Sequence, residues 1–207
     1  MWNEQIIMML LEGIKDTLYM TLTSTLIGYV IGLPMGILLT VTDKDGIHPN
    51  TAVYKVLDVI ANLIRSVPFL ILLIVLIPFT RFLIGRSYGP TATIVPLVIA
   101  AAPYIARMVE SSLKEVDAGV IEAARSMGAS NFTIVTKVML VEARTSLIVG
   151  ATISLGTILG YSAMAGTVGG GGLGDIAIRY GYTRWQTDIM IVTVILPVSY
   201  THLRAHR

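Results

Sequence analysis

The sequence predicts an all-α protein, a polytopic membrane helix bundle with five transmembrane helices. Three observations predict it. Of 207 residues 54% are hydrophobic and only 14% charged, whereas a soluble domain carries about a quarter charged residues. The charges are gathered into short islands, leaving long charge-free stretches between them. Glycine and proline recur inside those stretches, which a membrane tolerates where neighbouring helices satisfy the freed backbone groups.

The N-terminal stretch MWNEQIIMMLLEGIKD lacks a basic region and carries acids beside its apolar residues, so it does not read as a cleaved leader. Residues 1–13 are expected to form an external segment, and the first span an uncleaved signal anchor. That span falls in the charge-free run between Asp16 and Asp43, ample for the roughly 20 residues a bilayer needs. Gly28, Gly32 and Gly36 recur every fourth residue, leaving one helix face without side chains for another helix to approach. Pro34 is expected to kink the helix. Asp43 to Asn50 is a polar turn. The stretch from Tyr54 to Ile64 reads as an amphipathic surface helix, with Lys55, Asp58 and Arg65 on its wetted face.

Ser66 to Thr80 is a short second span, complete only if Arg65 and Arg81 snorkel to opposite interfaces. Gly85 to Pro90 is a tight turn, and Ser87 to Ala106, with three prolines, is the third span. The fourth begins after Arg144. Its far end, GYSAMAGTVGGGGLGDIAIRYGY, is too rich in glycine for a helix and reads as a re-entrant or short external loop. Gly169 to Gly172 is no P-loop, because no Gly-Lys-Ser/Thr follows. Tyr180, Tyr182 and Trp185 read as an interfacial aromatic belt. The fifth span, Ile189 to Val198, is too short, and residues 199–207 form an atypical tail with two histidines and two arginines. The native C-terminus is therefore expected to be missing or replaced.

The stretch from residue 107 to 144 is a charged island between apolar segments. Val116, Val120, Ala123, Ala124 and Met127 fall on one helical stripe. Gly128 follows where a helix ends in the left-handed conformation. Ser130 is placed to cap a second helix, with Phe132, Val135, Val138 and Met139 on its apolar face. The pair Ala123 and Ala124 leaves a flat patch for another protein.

Glu122-Ala123-Ala124, then Gly128, then Val138-x-Leu140 resembles the EAA loop of ABC-importer permeases, the cytoplasmic element that docks in a cleft of the ATPase. Where that family has proline after the leucine, this chain has Val141, so the second helix is expected to start or bend differently. The stretches MVESSLKEVDAGVIEAARSMGAS, RSVPFLILL and GYSAMAGTVGGGGLGDIAIRYGY resemble the permease of methionine-type ABC importers, over nearly all of Glu12 to Val194. The resemblance implies a type I permease domain over residues 14–198. It also implies a permease homodimer, two cytoplasmic ATPase subunits and an external binding lipoprotein, with substrate passing along the two-fold axis. Glu122 would then contact the ATPase at the rim, Ala123 and Ala124 would form the close-packed face, and Gly128 the turn.

Tyr161, Ser162, Ala163 and Met164 could gate the substrate path, a small hydroxyl and a flexible thioether suiting a weak passing contact; packing is the rival reading. A cytoplasmic island places Lys44, Lys55, Arg65, Arg107, Lys114, Arg125, Lys137 and Arg144 inside. Lys15, Arg81, Arg86, Arg179 and Arg184 are then outside, a modest positive-inside excess with the N-terminus outside.

Net charge +2 without a basic run points away from nucleic acid, and the absence of cysteine excludes disulfides and thiolate metal sites. No catalytic constellation or cofactor motif is present. The spans lack the mid-depth ionisable residues of ion-coupled carriers, so the driving energy is expected from a separate ATPase. The rival readings are an importer of another amino acid or small solute, an ATP-independent carrier or channel, and a membrane scaffold.

Overall fold

The computed structural model describes residues 4–205, with side chains through residue 197. Every regular element among the described residues is helical. They are α1 (Glu4–Thr42), α2 (Thr51–Ser66), α3 (Phe69–Val75), α4 (Ile77–Ile84), α5 (Pro90–Lys114), α6 (Ala118–Ser126), α7 (Asn131–Thr133), α8 (Leu140–Glu142), α9 (Arg144–Ala165), α10 (Gly172–Ile176) and α11 (Thr187–Ala205). Wider π-turns occupy Ile134–Met139 and Ala177–Tyr182.

Three of these helical runs are long and apolar enough to cross a membrane: Glu4–Thr42, Pro90–Lys114 and Arg144–Val168. The predicted second span is not one helix. Pro68, with no N–H to donate, precedes α3, and the helix is broken between Ser66 and Phe69. A further break at Leu76 separates α3 from α4, which has Pro78 in its first turn. The predicted fifth span is helical through Ala205, beyond Val198, but its short apolar part is Thr187–Pro197. The tail's histidine and arginine side chains lie outside the described residues.

The chain forms two compact units, one of residues Met1–Leu26, Pro68–Ile99 and Leu155–Arg207, the other of Ile27–Val67 and Ala100–Ser154. In the first, Leu10, Leu173, Ile176 and Ile189 form a buried cluster with Ile6, Met9 and Ile14 against it. This burial explains why α1 starts at Glu4 and not after Asp16. Residues 4–13, part of the expected external segment, are its opening turns, and α1 is about 58 Å long. The same unit encloses the glycine-rich stretch, which is not the loop expected but mostly helical: α9 runs to Ala165, a tight turn follows over Gly166–Val168, and α10 and the Ala177–Tyr182 turn resume after Gly171. Gly169 and Gly171 take positive φ, and a side chain on Gly172 would come within 2.6 Å of Thr17 Oγ1. Leu173 N–H donates to that hydroxyl at 2.9 Å, and Gly89 N–H donates to Gly169 O at 2.9 Å. Buried Asp175 pairs there with Arg179, an ionisable group in the glycine-rich stretch that charge-free counting passes over.

In the second unit the glycine strip of α1 lies against α5. A Cβ at Gly32 would sit 2.6 Å from Ala102 O, and one at Gly36 2.5 Å from Ala106 O. Only bare backbone fits at that spacing, so α1 and α5 pack through main chain and small side chains, as Gly28, Gly32 and Gly36 predict. Helix α1 runs unbroken through Pro34.

Candidate functional site

The site is built on α6 in the second unit. The Asp117 carboxylate accepts from Gly119 N–H at 2.7 Å and caps its start. Its end is a Schellman motif: Ala129 N–H donates to Ala124 O at 3.1 Å and Gly128 N–H to Arg125 O at 2.9 Å. Gly128 has φ +80, and the space beside it is open, so conformation and not crowding requires glycine. Ser130 Oγ accepts from Thr133 N–H at 3.2 Å and caps the next helix.

The apolar stripe predicted for α6 divides. Ala124 is 5% exposed and faces the chain's own interior, where α6 packs on the Ile134–Met139 turn. Ala123 faces solvent with Glu122, and Val120 and Met127 are exposed too. The flat face offered outward is thus Ala123, not the Ala123–Ala124 pair. The second helix also differs from expectation. Its buried residues are Ile134 and Met139, five apart, because a π-turn needs more residues per turn than the α-helical spacing assumed. Phe132, expected on the apolar face, is 78% exposed and extends the outward apolar surface beyond Met127.

Between α6 and the 43–50 turn lies an open cleft of about 690 Å³ bordered by Asp43, Ile47, Lys114, Glu122, Arg125 and Met139, among others. One Arg125 Nη donates to Ile47 O at 2.9 Å. Asp43 Oδ2 lies 2.6 Å from Lys114 Nζ, and that ammonium also reaches Glu110 Oε1 at 2.8 Å. Glu110 is 5% exposed and takes its second cation from Arg107 at 2.6 Å. Arg107 in turn pairs with Asp58 of α2 and donates to Asn62 Oδ1 at 2.9 Å. The hydrogen bond from Lys114 holds the Asp43 carboxyl below the usual carboxylate range, against the smaller opposing effect of its burial.

This ion network is what the sequence reading missed. Asp58 is not simply wetted; it is a ligand of Arg107. The spacing of Arg107, Glu110 and Lys114 puts them along one face of α5, a signal present in the sequence. Which acids complete the set depends on the folding of α1 and α2 beside α5.

In the first unit, the four gate candidates part company. Tyr161 stacks on Phe69 with ring centroids 4.4 Å apart and planes 5° from parallel. Ser162 is buried; its hydroxyl donates to Leu159 O at 2.8 Å and accepts from Thr21 Oγ1 at 3.5 Å. Ala163 and Met164 are exposed. Of the belt residues, Tyr182 and Trp185 are exposed, while Tyr180 lies under the Arg184 guanidinium at 4.5 Å. Among the described residues no cluster of His, Cys, Asp and Glu is arranged to hold a metal ion.

The profile of the family described as "Binding-protein-dependent transport system inner membrane component" matches residues 14–201. The chain belongs to that family. Among relatives of this inner membrane component, the probable D-methionine transport system permease protein MetI of Vibrio cholerae is 47% identical over 188 residues, 91% of this chain and 84% of that protein. The D-methionine transport system permease protein MetI of Escherichia coli K12 is 50% identical over 164 residues, 79% of this chain and 76% of that one. An inward-facing structure of the MetNI methionine ABC transporter superposes with a TM-score of 0.95 at 48% identity, covering 98% of this chain and 94% of that chain. An amino acid ABC transporter solved with histidines, 21% identical, superposes at 0.75 over 96% of this chain and 92% of its own, and shares the fold.

Proposed function

We propose that this chain is the non-catalytic permease subunit of an ATP-driven importer of methionine or a closely related amino acid. The observation that carries this reading is the 0.95 superposition on the MetNI methionine transporter at 48% identity. The functional form is a homodimer of permeases with two cytoplasmic ATPase subunits and an external substrate-binding lipoprotein. The N-terminus lies outside and α6 lies on the cytoplasmic side.

Helix α6 is the coupling helix. Closure of the ATPase pair displaces it, and the displacement reaches the ends of α5 and α9. Exposed Glu122 contacts the ATPase at the rim, Ala123 presents the close-packed face, and Gly128 sets the turn. Ala124 supports that face from behind, a role its burial favours. Among the gate candidates, exposed Ala163 and Met164 are the side chains open to a passing substrate. Tyr161 and Ser162 fix their position by stacking and hydrogen bonding.

The test is uptake of labelled methionine into proteoliposomes holding the chain with its ATPase and binding protein. ATP-dependent uptake that excess unlabelled methionine suppresses supports the proposal. Uptake that proceeds without ATP, or that methionine does not compete for, overturns it.

A further inference from the structure

We propose that Arg125, Asp43, Lys114, Glu110, Arg107 and Asp58 form a positioning relay that keeps α6 in register with the ends of α1, α5 and α2 while transport proceeds. The inference rests on the importer reading above and adds to it the parts that carry motion away from α6.

A short surface helix moved by a partner does useful work only if it drags something with it. Helix α6 is joined to α5 through the two residues between Lys114 and Asp117, and to the second helix through a glycine turn. Besides its packing on the Ile134–Met139 turn, α6 is tied to the rest of its unit by one hydrogen bond, and two further ties carry that connection onward. Arg125 donates to Ile47 O, so α6 holds the turn after α1. Asp43, at the start of the same turn, is bound to Lys114 at the end of α5. Glu110, buried and gripped by both Lys114 and Arg107, passes the connection along α5 to Asp58 on α2.

The arrangement is directional in its chemistry. The outer tie, Arg125 to a backbone carbonyl, is exposed, and its loss leaves no charge buried. The inner ties surround a carboxylate in low-dielectric surroundings, where an unpaired partner is costly. The inner set therefore stays joined as one body, and the outer tie attaches α6 to it so that the two move together. This is coupling through a contiguous set of ion pairs, and it stands or falls on a measured effect on coupling.

The chain has no cysteine, which allows the outer tie to be replaced by a reversible covalent one. In the complete complex, Ile47→Cys with Arg125→Cys removes the hydrogen bond from an exposed position. ATP hydrolysed per methionine imported should rise by about fivefold or more, with ATPase and permease still co-purifying. A short bis-thiosulfonate linker between the two thiols should restore the ratio, and dithiothreitol should abolish the restoration. Lys114→Arg should keep the ratio near that of the parent, whereas Lys114→Met should raise it. The relay is overturned if the reduced cysteine pair imports at the parent ratio, or if the linker fails to restore it. Failure of the importer reading looks different: the parent complex itself then shows no ATP-dependent uptake.

Discussion

Asp43 Oδ2 and Lys114 Nζ stand 2.6 Å apart, joining the turn after α1 to the last residue of α5. Because Lys114 holds the Asp43 carboxyl below its usual range, this tie favours the folded state above the unfolded carboxylate value and is lost as pH falls through the lower folded one. Asp43→Asn should therefore unfold at a lower temperature than the parent near about pH 7, and the gap should begin to close once pH falls below the ordinary aspartate value of about 3.9. Thermal unfolding in detergent across that range measures it. A gap that widens in acid would contradict the assignment.

Arg107 supplies Glu110 with one of its two cations and holds Asp58 as well. Arg107→Met leaves a buried carboxylate half-compensated and should cost roughly 3–5 kcal/mol. Adding Glu110→Gln should recover part of that loss, because the uncompensated charge is then gone. Denaturation of the single and double variants gives the coupling between the two sites.

The division of α6 makes opposite forecasts for adjacent alanines. Ala123→Trp changes an exposed face and should leave the permease folded while weakening its co-purification with the ATPase. Ala124→Trp forces a large ring into a site only 5% exposed and should lower the unfolding temperature, overpacking costing about 1–3 kcal/mol or more. The reverse pattern would place the wrong face outward.

A Cβ at Gly36 would meet Ala106 O at 2.5 Å. Gly36→Ala should separate α1 from α5 locally and destabilise the chain by about 1–3 kcal/mol. Gly128→Ala meets no atom and should cost only the left-handed conformation, roughly 1–2 kcal/mol. Unfolding midpoints of the two variants distinguish crowding from backbone strain.

Ser162 spends its hydroxyl on Leu159 O and Thr21, whereas Met164 is half exposed. Met164→Ala should change the KM for uptake. Ser162→Ala should chiefly lower stability, by about 1 kcal/mol. A large KM change in Ser162→Ala with unaltered stability would return the hydroxyl to the substrate path.

Local rules are written in the order of residues. They were enough for the apolar composition, the glycine strip at Gly28, Gly32 and Gly36, the Gly128 stop and the Ser130 cap, since each depends on side chains or dihedrals within a few neighbouring turns. The EAA tripeptide indicated the family through its setting, a charged loop between two apolar spans with Gly128 at the right distance. Other features depend on what lies opposite in space. Helix α1 begins early because Leu10 finds Ile176 and Ile189. Ala124 turns inward because the Ile134–Met139 segment, wound more widely than an α-helix, comes to lie against α6. Asp58 gains a cation because α2 folds beside α5. Burial and ion pairing are properties of two surfaces meeting, and residues as distant as Asp58 and Arg107 meet only once the chain has folded.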